Sequence, residues 1–359
     1  MKFENLYIHV PFCNGKCDYC AFYSEPEVQE ESAALWLKKI RGDLKRFELA
    51  DQLDTVYLGG GTPTALPPGI LAELLDFLHT LSLKENAEIS MECNPGSLTK
   101  EKAGILAGKI NRVSMGVQSF QTELLNRIGR RTTPDQVART VELLRETSGL
   151  KRLGLDLICA LPGQTLRDWE QDLKTAVSFQ PDHISAYMLI PEPGTPFTRR
   201  FGEEPVVSEE LQTEMWELAG TFLESCGMPR YEISNHAPQQ EECRHNQNVW
   251  HGKTYLGLGP SACSFDGVDR MTNAAPLKDW LAGTEPEIDR ISAELRRREV
   301  FMMGLRTVRG WDLHEFNWKE FSRELALLEA DGLIQMTGNV VKPTARGLLC
   351  WNTIAETLI

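Results

Sequence analysis

Residues Asn5 to Cys20 read Asn-Leu-Tyr-Ile-His-Val-Pro-Phe-Cys-Asn-Gly-Lys-Cys-Asp-Tyr-Cys, a strand-like run from Asn5 to Val10 followed directly by three cysteines. The spacing of Cys13, Cys17 and Cys20 is C-x3-C-x2-C. Three thiolates on one tight loop can hold three irons of a 4Fe-4S cluster and leave the fourth iron open for a small ligand. Electron-transfer clusters use four cysteines, so a set of three points to a site that binds and reduces something. The competing reading is a zinc knuckle or unrelated thiols; zinc's demand for four ligands, usually in paired C-x2-C units, weighs against it.

Working outward from that loop, short β-branched runs recur at Thr55 to Leu58, Glu88 to Glu92, Asn111 to Val117, Gly154 to Cys159 and His183 to Leu189. Between them lie amphipathic segments, Glu31 to Leu49, Gly69 to Leu81, Pro134 to Glu146 and Leu166 to Phe179, with apolar residues at three and four spacing. Strand alternating with helix means parallel strands joined by right-handed crossovers, hence an α/β fold with a partial (βα)6, TIM-like barrel. Such barrels place their chemistry at the C-terminal strand ends, where the cysteine loop sits.

The alternation stops after Leu189. A Pro- and Gly-rich passage from Pro191 to Pro205, a helix from Ser208 to Cys226 and an irregular stretch from Glu232 to Phe265 follow. From Ser292 onward, helices at Arg296 to Leu305, Trp318 to Asp331 and Thr344 to Leu358 flank a hairpin of Leu333 to Met336 and Asn339 to Lys342, a winged-helix-like pattern suited to a lid or docking surface. The expected organisation is a barrel over 1–205, a connecting α+β region over 206–290 and a winged-helix-like domain over 291–359.

Composition narrows the function. With 359 residues, 42% hydrophobic and 25% charged, the chain reads as a globular protein of one large domain and one or two small ones. Residues 1–10 lack a signal-peptide pattern and no apolar run reaches the roughly 20 residues of a membrane span, so a cytoplasmic location is expected. Nine scattered cysteines make no disulfide framework, and a net charge of -13 argues against nucleic-acid binding.

A second motif, Gly59-Gly60-Gly61-Thr62-Pro63, follows the second strand, where residues without side chains let a ligand approach the backbone. Polar residues mark later strand ends: Glu92, Gln118 and Asp156, with Arg130 twelve residues past Gln118. Each alone reads equally well as a buried ion pair. Their repetition on one rim favours a shared ligand.

Tyr7 to Cys13, Gly59 to Thr64, Glu92-Cys93-Asn94-Pro95, Gly116 to Phe120 and Leu155-Asp156-Leu157 run in the order found in the radical S-adenosylmethionine (SAM) family, which the chain resembles along essentially its whole length. Within it the chain is most similar to the branch that holds oxygen-independent coproporphyrinogen III oxidases and heme chaperones. The resemblance implies a 4Fe-4S cluster on Cys13, Cys17 and Cys20, with SAM chelating the open iron. It implies that Tyr7 and Tyr19 line cluster and cofactor, that Gly59, Gly60, Gly61 and Thr62 hold the methionine end, and that Glu92, Gln118, Arg130 and Asp156 bind the rest.

Two departures from the oxidase pattern favour the chaperones: Phe22 stands where the oxidases have a further cysteine, and only twelve residues precede Cys13. His245-Asn246-Gln247-Asn248-Val249-Trp250 is similar to the chaperone signature His-Asn-x-x-Tyr-Trp, with Val249 in place of tyrosine, and makes His245 the candidate heme ligand. Cys263 stands where the family usually has histidine; it is either a substitute thiolate ligand or a buried thiol. A zinc site from Cys243, His245 and His251 ranks below both. The implied function is to accept heme as cargo, as a monomer or a homodimer, and pass it to a membrane heme enzyme. The alternatives are oxidative decarboxylation of coproporphyrinogen III, or another radical reaction on the same scaffold.

Overall fold

A computed structural model describes residues 2–316 and 318–359. Six parallel strands run β1 (Asn5–Val10), β2 (Leu53–Gly60), β3 (Leu83–Cys93), β4 (Arg112–Gln118), β5 (Arg152–Cys159) and β6 (His183–Met188), paired in sequence order. Their alternation is what makes the architecture. Leu6, Ile8 and Val10, Val56 and Leu58, Met91, Val113 and Met115, and Leu155 and Leu157 face outward into a core with Trp36, Leu74, Leu144 and Trp169 of the surrounding helices. The helices Pro134–Glu146 and Leu166–Ser178 start where Thr133 with Gln136, and Thr165 with Asp168, close capping boxes on the first-turn amides.

The opposite face of each strand is polar: Asn5, Tyr7 and His9; Thr55 and Tyr57; Glu88, Ser90 and Glu92; Arg112 and Ser114; Asp156; His183 and Ser185. The barrel interior is therefore no apolar plug. Its polar groups demand partners, which the irregular stretch of the sequence supplies. The helix Arg244–Trp250 closes the N-terminal ends of the strands as a floor. Glu88, buried on β3, accepts the N–H groups of Arg244 (3.0 Å) and His245 (3.1 Å) and pairs with Arg152 at 3.3 Å. Asn248 donates to Asn5 and Asp54, both at 2.8 Å.

The sheet also grows beyond six strands. β7 (Asn235–His236) adds antiparallel to β6, while β8 (Tyr255–Leu258), β9 (Cys263–Phe265), β10 (Arg270–Thr272) and β11 (Glu287–Asp289) extend it past β1, giving eleven strands in the order 11-10-9-8-1-2-3-4-5-6-7. β8 is parallel to β1, with Asn5 opposite Tyr255. The stretch read as irregular thus covers both edges of the sheet; its elements are two to seven residues long, too short for periodicity to register. The helix expected to reach Leu49 ends at Leu44.

The C-terminal part has its own aromatic core, with Phe301 stacked on Phe321 and Trp311, and a three-stranded sheet of β12 (Trp311–Asp312), β14 (Val340–Pro343) and β13 (Ile334–Thr337). The strand at Trp311 was not expected from the sequence. Nor does this part act as a lid over the cysteine loop: Arg306 bonds Glu232 at 3.0 Å and lies over the Trp250 ring, and His251 packs on Trp311, so it braces the floor at the other end of the barrel.

Removing the clamp should release the floor. Glu88→Ala leaves Arg152 Nη1 and two helix N–H groups without their acceptor, while Arg152 keeps Glu241, and should cost about 3 to 5 kcal/mol, the scale for breaking a buried charged pair. Urea unfolding at neutral pH checks this; a loss of less than about 1 kcal/mol, that of an exposed pair, would show that the floor is held by other contacts.

Candidate functional site

The loop after β1 is set by its backbone. Phe12 is buried edge-on against Trp36, and the chain returns so that Cys13 N–H meets Glu25 O and Glu25 N–H meets Pro11 O. Gly15 takes φ +89°, and its N–H reaches Pro26 O. Cys13, Cys17 and Cys20 are unpaired, partly exposed, and line one cavity of about 620 Å³ at the C-terminal end of the barrel. Thr62 Oγ1 lies 3.1 Å from Cys13 Sγ, and Arg130 Nη1 donates to Cys17 Sγ at 3.4 Å. A hydrogen bond and a positive charge at the sulfurs fit a cluster-bearing loop. Among the described residues no group of three or more His, Cys, Asp or Glu side chains converges to hold a single ion. Cys243, His245 and His251 therefore do not assemble into a zinc site among the described residues.

The glycine triplet is required first by its own surroundings. A Cβ on Gly60, at φ +104°, would sit 2.5 Å from the His9 ring, and one on Gly61 would strike the carbonyl oxygen of Phe12. The turn therefore lies tight under the cysteine loop, with Gly60, Gly61 and Thr62 facing the cavity.

Glu92, Gln118, Arg130 and Asp156 meet in the same cavity, as does Tyr19. Glu92 accepts Tyr57 Oη and Gly60 N–H, both at 3.1 Å. Burial, with the neighbouring Asp156 carboxylate, pushes Glu92 up to about 7. Asp156 accepts Ser114 Oγ at 3.0 Å and Ser185 Oγ at 2.6 Å, and burial raises it too. Gln118 holds φ +73° at a register shift between β4 and β5, a strained non-glycine backbone positioned at the site. Arg130 also donates to Gly116 O.

Tyr7 and Gly59 support the cavity without lining it. Tyr7 Oη lies 3.2 Å from His9 Nδ1 beneath the loop, and a Cβ on Gly59 would meet Glu92 Oε1 at 2.8 Å. His245 belongs to the floor: its Nδ1 is 2.6 Å from Thr55 Oγ1, its ring packs on Tyr57, and burial pushes it down to about 4. Cys263 is on β9, two strands beyond β1, with Tyr255 Oη at 3.8 Å. Neither is among the residues lining the cavity.

Reading strand ends alone missed the deeper wall, where Tyr57, Arg112, Ser114, His183 and Ser185 face inward. The signal was present as polar residues at every second position of each strand. The mouth was missed as well: Phe22, Ile190 and Tyr187 line it while remaining 68%, 66% and 40% exposed.

The profile of the Radical SAM superfamily matches residues 7–176, and that of the HemN C-terminal domain matches 291–350. The heme chaperone HemW of Bacillus subtilis is 34% identical, with 98% of each chain covered, and that of Mycobacterium tuberculosis is 34% identical over 99% of this chain and 94% of the relative. HemW of Escherichia coli is also 34% identical, over 72% of this chain and 69% of its own. Among solved structures, coproporphyrinogen III oxidase (HemN) from Escherichia coli superposes with a TM-score of 0.85 at 22% identity, covering 99% of this chain and 90% of that one, a likeness of fold. Among the described residues no helix is long and apolar enough to cross a membrane.

Glu92 sets a pH dependence whose sign is fixed. Its folded-state value near 7 exceeds the ordinary 4.5, so the folded protein holds a proton that the unfolded chain releases, and stability falls as pH rises between those values. Glu92→Gln removes this contribution. The melting temperature of wild type relative to Glu92→Gln should drop from pH 5 to pH 8, whereas parallel curves would place the Glu92 carboxylate in the ordinary range.

Proposed function

The chain belongs to the radical SAM superfamily and, within it, to the HemW family, and from that premise we propose that it is a heme chaperone that binds heme and transfers it to heme-dependent acceptors. Family membership implies a 4Fe-4S cluster and SAM. Cys13, Cys17 and Cys20 would hold the cluster, and Gly60, Thr62, Glu92, Gln118, Arg130 and Asp156 would hold SAM. When bound, these groups supply an electron and a cleavable sulfonium. The chain's own part is to stabilise the sulfurs through Arg130 and Thr62 and to place the Glu92 and Asp156 carboxylates opposite a cationic ligand.

The observation that carries the heme reading is the mouth. Phe22, at the position where the oxidases have a further cysteine, joins Ile190 and Tyr187 as exposed large apolar side chains around one opening. Exposed apolar surface grouped at a cavity is an unfavourable arrangement unless a ligand covers it, and a flat apolar macrocycle does so. His245 serves this reading from the floor, by keeping the barrel closed, rather than as the axial ligand its sequence context suggested.

Anaerobic reconstitution of the cluster followed by heme titration tests the proposal. Saturable binding at one heme per chain is expected, and Phe22→Ser and Ile190→Ser should each weaken it by roughly 5- to 30-fold, the effect of losing one apolar contact surface. His245→Ala should lower the melting temperature and leave the Soret maximum in place; a displaced Soret band would return the iron to His245. Conversion of coproporphyrinogen III to a vinyl-bearing product with turnover would overturn the chaperone assignment in favour of an oxidase.

A further inference from the structure

Beneath the residues expected to hold SAM, the cavity ends in a group of hydrogen-bond donors without acceptors. Arg112, 2% exposed at the start of β4, lines the cavity, and neither its Nε nor its Nη1 has a hydrogen-bond partner among the described residues. A buried guanidinium is costly to leave unpaired. The nearest acid cannot serve it: Glu88 already accepts the Arg244 and His245 N–H groups, Ser90 Oγ and Arg152 Nη1.

His183, 1% exposed at the start of β6, faces the same space, and its Nδ1 is also unpartnered. Its Nε2 lies 2.8 Å from Tyr231 Oη, and that oxygen already accepts Cys243 N–H at 3.3 Å. With the Tyr231 oxygen taken up by Cys243 N–H and its phenolic hydrogen given to Nε2, the imidazole hydrogen lies on Nδ1 as a donor into the cavity. Between the two strands, Gly154 of β5 sits in register with Ser114 and His183 and leaves a gap: a Cβ there would lie 3.5 Å from His183 Nδ1 and 3.5 Å from Ser114 Oγ.

We infer that Arg112, His183 and the gap over Gly154 form a carboxylate-binding subsite at the floor of the cavity, distinct from the residues expected to hold SAM. Three inward donors, one carrying a fixed positive charge, around a side-chain-free gap suit a planar monoanion. In naming the source of that carboxylate the inference rests on the heme reading: a heme propionate, or a free small carboxylate bound beside the cargo.

The test uses the full chain with two substitutions. Gly154→Ala puts its methyl at ordinary contact distance and should fold, yet it covers the gap. Arg112→Gln removes the charge; because that charge favours ionised Glu88 without a hydrogen bond to any described residue, the ligand-free variant should melt only slightly below wild type, and a collapse of the fold would make Arg112 a structural counter-ion of Glu88 and overturn the subsite.

In the first arm, sodium propionate should raise the melting temperature of wild type above an equal concentration of sodium chloride, and neither variant should respond. In the second, heme should bind wild type roughly 10- to 100-fold more tightly than heme dimethyl ester, the scale of hydrogen bonds to a charged group. Both variants should lose that preference. A response in the first arm alone identifies a free carboxylate, and one in the second identifies the propionate; either supports the subsite. If heme does not bind wild type at all, the chaperone reading fails and the propionate arm decides the subsite separately. No propionate effect together with no ester discrimination, or discrimination that survives in both variants, overturns it.

Discussion

The buried carboxylate of Glu88 is the constraint on which the rest of the barrel depends. A barrel lined with polar side chains has no apolar plug to close it, so its floor must be made by hydrogen bonds. Glu88 satisfies the first amides of the helix Arg244–Trp250 from a strand more than 150 residues earlier in the chain and binds Arg152 on β5. An acid placed at orphan helix N–H groups is favoured by their partial positive charge. Its value is lowered despite the burial that opposes ionisation, because Arg112 and the two helix N–H groups favour the charged form. The same saturation of Glu88 leaves Arg112 Nε and Nη1 without an acceptor among the described residues, so closing the floor and opening a donor site into the cavity follow from one arrangement.

Hydrophobic stabilisation is correspondingly displaced to the outside of the sheet. Leu6, Ile8, Val56, Leu58, Val113 and Leu155 are fully buried against the helices, and Trp36 and Trp169 fill the layer between. The C-terminal part adds a second apolar core centred on Phe301 and Phe321 and braces the floor from below. With the core outside, the inward positions can carry groups that would be ruinous in an ordinary barrel interior: two neighbouring carboxylates, an unpaired arginine and a strained Gln118.

Much of this was legible in the sequence, for reasons that differ by element. The cysteine loop and the glycine turn are local: the spacing of Cys13, Cys17 and Cys20 and the residues at Gly59 to Thr62 carry their meaning within a few positions, and the structure places both at one cavity. The six strands were legible through alternation, and Glu92, Gln118 and Asp156 through their place at strand ends. Arg112 and His183 were missed because they stand at strand beginnings, where barrel chemistry is not expected, although they share the period of the residues that were read. β8 could not be seen, since four residues with no periodicity become a strand only by lying beside β1. His245 shows the converse: an imidazole near cysteines resembles a ligand set, but its partner is Thr55, 190 positions away, and only folding brings the two together.

The vertical order of charge in the cavity gives the fold its functional logic. Arg130 lies at the sulfurs, Glu92 and Asp156 occupy the middle, Arg112 lies beneath them, and Phe22, Ile190 and Tyr187 ring the mouth. The mouth carries three large exposed apolar side chains and the wall beneath it Glu92, Asp156, Arg112 and Arg130, so a purely hydrophobic molecule would cover the first and leave the second unsatisfied. A purely ionic ligand would do the reverse. The complementary partner carries a broad apolar body together with charges of both signs, or arrives as two molecules that divide those features between them. On the proposed function, a sulfonium-bearing amino acid held near the three cysteines and a macrocycle with carboxylate arms would divide them in that way. The carboxylates at mid-height favour the cation over competing anions, and the unpaired donors below favour an acid over an ester. Selectivity in this cavity would then come from the cost of leaving buried groups unpaired rather than from shape alone.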